Sequence, residues 1–241
     1  MGTTLQVARQ AACTHYQQHF LKSRKEKPMP KTIGVIQVKG GAGRSTLATN
    51  LAGELSKVGK TVLIDGDMPQ GTSASWCAVR QEKGKAGNLV ADTAANHTEL
   101  VAKVEQYQDA EYIVLDGPPR IAEMTRAIMM LADLCLIPVG ASVAEIWATA
   151  DVLTIIEQAK QVRPINAWML WTRHRSFTNL AKELTEQATK ELGLPILKIP
   201  MALRVAYTEA LGAGLTVTEM QDQNARIEMR MLIAEVRRLV R

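Results

Sequence analysis

A glycine-rich segment at residues 39–46 constrains the fold of this chain more than any other feature. It reads Lys-Gly-Gly-Ala-Gly-Arg-Ser-Thr and lies between an apolar run at 32–38 and a helix-like stretch at 47–58. Strand, glycine turn and helix form the context of a phosphate-binding loop, because the N–H groups of the turn and the positive end of the helix converge on an anion. The usual pattern G-x-x-x-x-G-K-[ST] fails twice here, since Val38 replaces the first glycine and Arg44 replaces the lysine.

Apolar runs alternate with helix-like stretches along the rest of the chain. The predicted strands are 32–38, 61–65, 111–116, 134–139, 165–171 and 196–199. The predicted helices lie near 45–58, 120–131, 143–162, 177–191, 203–211 and 222–240. This alternation indicates an α/β fold with a doubly wound, mostly parallel sheet flanked by helices. Ligands of such sheets bind at the carboxyl ends of the strands, where the glycine-rich segment is also expected.

The composition is that of a soluble protein, with 46% hydrophobic and 22% charged residues. No apolar run reaches the roughly 18 residues of a membrane-spanning helix, and residues 1–18 are too polar for a secretory signal peptide. Cys13, Cys77 and Cys135 lie far apart without metal-ligand spacing. We therefore expect reduced thiols and a cytoplasmic location.

The net charge of +5 comes from the beginning of the chain. Residues 1–31 hold six basic residues and one acidic residue, which leaves 23 of each sign in 32–241. We expect 1–31 to be a basic N-terminal extension, either a disordered leader or an arm that touches DNA or a partner, and 32–241 to form one domain. Translation from Met29 would still give that whole domain.

Two predicted strands end in aspartate. Asp65-Gly-Asp67 follows the apolar residues 61–64, and Asp116 follows 112–115. Alone, each aspartate is typical of a turn or a helix N-cap. Together with a phosphate-binding loop, a strand-end aspartate holds Mg²⁺ through water, and a loop hydroxyl, here that of Ser45, is a direct ligand.

These motifs resemble the ParA/MinD family of P-loop ATPases, whose phosphate loop begins with an additional lysine, here Lys39. The resemblance covers roughly residues 32–240 and includes the loop, the Asp-x-Asp segment followed by Pro-Gln, the Asp116-Gly-Pro-Pro motif and the Ile-Pro-Val strand end at 137–139. Trp76, Thr172-Arg173 and the size of the chain look most like small ParF-type plasmid-partition proteins.

The resemblance implies ATP and Mg²⁺ as cofactors and a role for each motif. Lys39 would reach across an ATP-dependent homodimer to the partner's phosphates, Asp67 would position the attacking water, and Asp116 would hold the water shell of the magnesium ion that Ser45 ligates. Met201 lies where relatives contact adenine. The residues expected to surround the phosphates are Gly40, Gly41, Ala42, Gly43, Arg44, Ser45 and Thr46.

Two departures from the family pattern concern catalysis. Met68 is inserted between Asp67 and Pro69, which can displace Asp67 from the water it should orient. Arg44 replaces a compact ammonium with a bulky planar group, an exchange that is not conservative at a tight phosphate site. We expect ATP to bind but hydrolysis to be slow or absent. Arg44 is either the natural residue or an engineered replacement of the family's lysine, and both alternatives give the same sequence.

The last predicted helix carries a stripe of arginines, Arg226, Arg230, Arg237 and Arg241, beside an apolar face. Relatives bind DNA non-specifically as ATP dimers, so the stripe is a candidate DNA-binding surface, although an ordinary solvated helix face has the same pattern. The segment Arg173-His174-Arg175 with Lys182 is a weaker candidate. Membrane targeting by this helix is not expected, because the helix is needed to complete the domain.

The resemblance therefore predicts an ATP-dependent dimer that binds DNA, associates with the nucleoid and segregates or positions plasmid DNA with a small ParB-like, centromere-binding partner. The alternative is a nucleotide-gated, poorly hydrolysing adaptor in DNA transfer or in regulation of partition genes.

Overall fold

The computed structural model of the 241-residue chain describes residues 29–119, 122–175 and 179–240. The extension before residue 29, Cys13 and Arg241 lie outside the described residues, so the predictions made for them are not addressed by the structure.

The centre of the fold is a six-stranded, all-parallel sheet with the strand order β3-β2-β4-β1-β5-β6. The strands are β1 (Lys31–Val35), β2 (Thr61–Asp65), β3 (Leu89–Thr93), β4 (Tyr112–Asp116), β5 (Leu134–Gly140) and β6 (Ala167–Thr172). In the register of the sheet, Asp116 lies opposite both Asp65 and Val35. The loop after β1 and the two strand-end aspartates therefore meet at one edge, as predicted.

Helices cover both faces of this sheet. They are α1 (Arg44–Leu55), α2 (Thr72–Glu82), α3 (His97–Gln106), α4 (Ala122–Leu131), α5 (Val143–Ala148), α6 (Ala150–Lys160), α7 (Asn179–Leu192), α8 (Val205–Gly212) and α9 (Gln223–Leu239), with a 3₁₀ turn at Val217–Glu219. One hydrophobic core joins the sheet to α1, α2, α8 and α9, and the other joins it to α3, α4, α5, α6 and α7. Strands β2, β4 and β5 are buried along their whole length, as expected for strands covered on both faces. The predicted α/β, doubly wound fold is confirmed.

Several elements differ from the sequence-based expectation. Strand β3 and helices α2 and α3 were not predicted, and β3 is a half-buried edge strand without a continuous apolar run. The predicted strand at 196–199 forms only an isolated bridge from Ile196 to Met169. The predicted helix 143–162 is interrupted at Thr149, whose hydroxyl donates to the Glu145 carbonyl at 2.9 Å.

Helices long and apolar enough to cross a membrane are absent from the described ranges. Within the same ranges no three His, Cys, Asp or Glu side chains are grouped as a metal site. Cys77 and Cys135 are buried free thiols, and burial raises the pKa of each to about 12. Both thiols are therefore protonated and unreactive near neutral pH.

Candidate nucleotide site

The loop between β1 and α1 has the backbone of an anion-binding turn. Gly41 and Gly43 have φ angles of 75° and 93°, and Gly43 is the N-cap of α1. Glycine adopts such left-handed conformations without strain. The Thr172 hydroxyl at the end of β6 donates to the Ala42 carbonyl at 2.9 Å, and buried Gln37 donates to the Pro138 carbonyl on β5 at 3.2 Å. The loop is therefore fixed against two strands, with the positive end of α1 behind it.

Arg44 is buried inside this loop, with a side-chain exposure of 6%. Its Nε atom donates to the Gly117 carbonyl at 2.8 Å, and its Nη1 atom donates to the carbonyls of Gln37 at 2.8 Å and Lys39 at 2.6 Å. Its Nη2 atom lies 3.7 Å from Asp67 Oδ2. Burial lowers the pKa of Arg44, whereas Asp116 and Asp67 raise it. The guanidinium therefore joins the phosphate loop to the ends of β4 and β2, a set of contacts that one lysine nitrogen could not make.

Lys39, at the front of the loop, points to a neighbouring carboxylate. Its Nζ atom donates to Glu145 Oε1 at 2.8 Å, and Arg173 Nη2 donates to the same oxygen at 3.0 Å. The Lys39 side chain is 38% exposed, whereas that of Glu145 is 10% exposed. Glu145 Oε2 is buried and has no hydrogen-bond partner within the described chain. Arg173 has a φ angle of 52°, an uncommon conformation for a non-glycine residue. Lys39 is therefore held by its own protomer.

Asp65 and Asp67 have different surroundings at the end of β2. Asp65 Oδ1 accepts a hydrogen bond from the Asp67 N–H at 2.9 Å, and Asp65 Oδ2 accepts one from the Ala74 N–H at 2.9 Å. Asp65 is thus a structural residue that fixes the turn into α2. Burial raises the pKa of Asp67, and Arg44 lowers it. With Met68 inserted and 42% exposed, Asp67 still lies beside the phosphate loop.

Asp116, at the end of β4, is 1% exposed. Its Oδ2 atom accepts a hydrogen bond from the Ser73 hydroxyl at 2.6 Å. Burial raises the pKa of Asp116 to about 7, although Ser73 and Ser45 lower it. Its Oδ1 atom is buried and has no hydrogen-bond partner among the described residues. A buried carboxylate oxygen left unpaired beside a loop hydroxyl fits the oxygen ligands that Mg²⁺ prefers, so the residues present suit this ion.

The remaining predicted contacts are less clearly placed. Ser45 and Thr46 are half-buried in the first turn of α1, and Gly40 and Gly41 are exposed. Met201 is 3% exposed and belongs to the core, while its N–H donates to the Trp171 carbonyl at 2.8 Å. An adenine contact by Met201 stays a prediction.

Helix α9 docks by its apolar side, as predicted. The buried residues of this face are Ala225, Met229, Leu232, Ile233, Val236 and Val240. Arg230 and Arg237 are exposed and Arg226 is half-buried, and none of them forms an ion pair with a described residue. Arg238, which the sequence-based stripe does not include, is also exposed. Two members of the predicted stripe, Arg230 and Arg237, therefore face solvent on a docked helix.

Comparison with known proteins identifies the family. Residues 30–108 match a family profile described as an AAA domain. An uncharacterized ATP-binding protein of Methanocaldococcus jannaschii is 30% identical over 79% of this chain and 94% of its own length. The chromosome-partitioning ATPase Soj of Thermus thermophilus is 25% identical over 78% of this chain and 88% of its own length. The chain belongs to the ParA/MinD family of P-loop ATPases.

Other members of this family that match are named for positioning rather than partition. Maintenance of carboxysome distribution protein A of Halothiobacillus neapolitanus is 29% identical over 85% of this chain and 95% of its own length. A Cyanothece McdA variant solved with ATP superposes with a TM-score of 0.72 at 17% identity, covering 87% of this chain and 97% of that one. The Pyrococcus horikoshii septum site-determining protein MinD, solved with Mg-ADP, gives 0.68 at 15% identity over 86% and 96%. These structures share the fold of ATP-binding P-loop ATPases with this ParA/MinD family member.

Proposed function

We propose that this protein is an ATP-dependent dimer that binds DNA non-specifically and segregates or positions plasmid DNA. The observation that carries the proposal is the meeting of Lys39, the glycine loop and the buried, half-paired Asp116 at one edge of the sheet. Relatives named for chromosome partitioning and for carboxysome distribution support a role in segregation or positioning.

In this proposal the residues from Gly40 to Thr46 surround the phosphates of ATP with backbone N–H groups and the positive end of α1. Ser45 and Asp116 would hold a magnesium ion, which supplies positive charge against the phosphates. The neighbours solved with ATP and with Mg-ADP support this assignment. Asp67 would orient the attacking water.

The same proposal gives Lys39 its role in the dimer. Lys39 is exposed enough to reach another molecule, but in the single protomer it is paired with Glu145. ATP and a second protomer would offer a phosphate in place of that carboxylate, so dimerisation requires this ion pair to open. In each protomer, exposed Arg230 and Arg237 on α9 would then contact DNA phosphates. A small ParB-like protein that binds the centromere of the plasmid would trigger release.

The proposal is tested by retention of non-specific duplex DNA on a filter with ATP, with ADP and without nucleotide. We expect the DNA to be retained only in the condition with Mg-ATP, and we expect this retention to decline as the salt concentration rises. Equal retention in the three conditions, or none in any, contradicts the proposal.

The position of Arg44 favours a second candidate, a nucleotide-gated adaptor that hydrolyses ATP poorly. Its guanidinium is held by three carbonyl oxygens and lies near Asp67, so it is not free to follow charge on a transferred phosphoryl group. The discriminating measurement is ATP turnover with DNA and partner present, for the protein and for Arg44→Lys. We expect slow turnover that rises at least about tenfold in Arg44→Lys. Equal and brisk turnover in both would show that Arg44 does not slow hydrolysis.

A further inference from the structure

Ser73 is a buried serine whose hydroxyl donates a hydrogen bond to Asp116, a residue of the proposed magnesium site. It is the second residue of α2, with an exposure of 0%, and its Oγ atom lies 2.6 Å from Asp116 Oδ2. A distance of 2.6 Å is typical of a hydroxyl that donates to an ionised oxygen. The contact joins two segments that are 43 residues apart in the chain, so local sequence does not dictate it.

This hydrogen bond makes the two carboxylate oxygens of Asp116 different. Ser73 fixes Oδ2, and Oδ1 is left buried without a partner within the described residues. Because a carboxylate is planar, fixing one oxygen also fixes the direction of the other. A metal ligand's orientation is commonly set in this way by a hydrogen bond to its second atom.

The turn that carries Ser73 is itself held in place. The N–H of Ala74, the next residue, donates to Asp65 Oδ2 at 2.9 Å. Asp65 lies opposite Asp116 in the sheet register. The first turn of α2 is thus attached to both neighbouring strand ends, and the Ser73 hydroxyl is brought to Asp116 by a rigid element.

We propose that Ser73 is a positioning residue for magnesium, whose hydroxyl orients Asp116 so that Oδ1 faces the ion or its water shell. The proposal rests on the proposed function, because it needs a Mg-nucleotide at this site. A serine that merely satisfied its own hydroxyl would show the same contact, but it would not change the affinity for magnesium when removed.

The test is the ratio of ADP affinities measured by calorimetry with magnesium and with EDTA. In the unchanged protein we expect magnesium to strengthen ADP binding. Ser73→Ala should reduce that enhancement about 10- to 100-fold, the usual cost of losing a residue that orients a metal ligand, and leave ADP affinity in EDTA unchanged. The matched control is Ser75→Ala, which removes an exposed hydroxyl on the same helix and should change neither affinity.

A double substitution shows whether Ser73 acts through Asp116. In an Asp116→Asn background, Ser73→Ala should have no further effect on the magnesium enhancement. An unchanged ratio, an equal loss with and without magnesium, or an additive effect in the Asp116→Asn background overturns the inference. No ADP binding by the unchanged protein would instead contradict the proposed function.

Discussion

The chain uses arginine in two opposite ways. Arg44 and Arg80 are 6% and 4% exposed, and each combines a carboxylate neighbour with bonds to backbone carbonyls. Arg230 and Arg237 on α9 are exposed and have no ion pair with described residues. A buried guanidinium loses its water and needs a carboxylate and carbonyl oxygens in place of that water, whereas an exposed one interacts weakly with any nearby charge. The buried arginines therefore define structure, and the exposed pair is available to a polyanion.

Arg80 shows what replaces water around a buried arginine, although its buried Nε atom has no hydrogen-bond partner among the described residues. Its guanidinium lies over the Trp76 ring at 5.3 Å and donates to the Gly214 carbonyl at 3.2 Å. It also donates to both carboxylate oxygens of Glu219, at 2.7 and 3.3 Å. This group fastens α2 to the 3₁₀ turn that precedes α9, the helix on which the exposed arginines lie.

The largest predicted effect is on the exposed side of this comparison. Arg230→Glu with Arg237→Glu replaces two exposed cations in each protomer of a dimer with anions. We expect DNA affinity at low salt to fall on the order of 100-fold, with a shallower salt dependence. Filter retention at several salt concentrations measures both quantities.

The control for this change is Lys160→Glu with Lys190→Glu. These two lysines are exposed on α6 and α7, which pack against the other face of the sheet. The same charge change at these two positions should leave most of the DNA affinity intact. If both double variants lose DNA equally, net charge and not the α9 surface determines binding.

A smaller effect, on stability, is expected when buried Arg80 loses its carboxylate partner Glu219. Burial alone would raise the pKa of Glu219, but hydrogen bonds from Arg80 and Thr216 lower it to about 2. Glu219→Gln leaves Arg80 without its anion, so we expect the free energy of unfolding at pH 7 to fall by about 1–2 kcal/mol, allowing for solvent screening. Urea unfolding measures this difference.

The sign of the pH dependence follows from the lowered pKa of Glu219. Its stabilising contribution is complete above an unfolded pKa of 4.5 and is lost as pH falls toward 2. The difference in unfolding free energy between the protein and Glu219→Gln should therefore shrink between pH 5 and pH 3. Glu157→Gln, at an exposed ion pair, should show no difference. A difference for Glu219→Gln that is constant with pH would exclude this pair as its source.

The exposed and buried arginines also differ in what the sequence reveals. The α9 stripe and its apolar face follow from helical periodicity, and the solvent exposure of Arg230 and Arg237 agrees with it. The partners of Arg44 include the backbone carbonyl of Gly117, 73 residues away, and a carbonyl carries no signal in side-chain pattern. Ser73 was missed for a related reason, because its acceptor, Asp116, is brought close by packing between elements.

The strand predictions succeeded where burial is complete or nearly so and failed where it is partial. Strands β2, β4 and β5 have long apolar runs because helices cover both faces. Strand β3 contains Asp92, whose carboxylate accepts hydrogen bonds from Lys103 and Tyr107 of the following segment. An edge strand with a paired carboxylate does not show the pattern of a buried strand, so its position becomes visible only in the fold.

The most direct test of the account is to measure dimerisation of the unchanged protein. Sedimentation velocity with Mg-ATP, with Mg-ADP and without nucleotide gives the oligomeric state in each condition. The loop with Lys39 at its front predicts a monomer without nucleotide and with ADP, and a dimer with ATP. A dimer in every condition, or a monomer that stays a monomer in saturating ATP, would contradict the claim that this loop is an ATP-dependent switch.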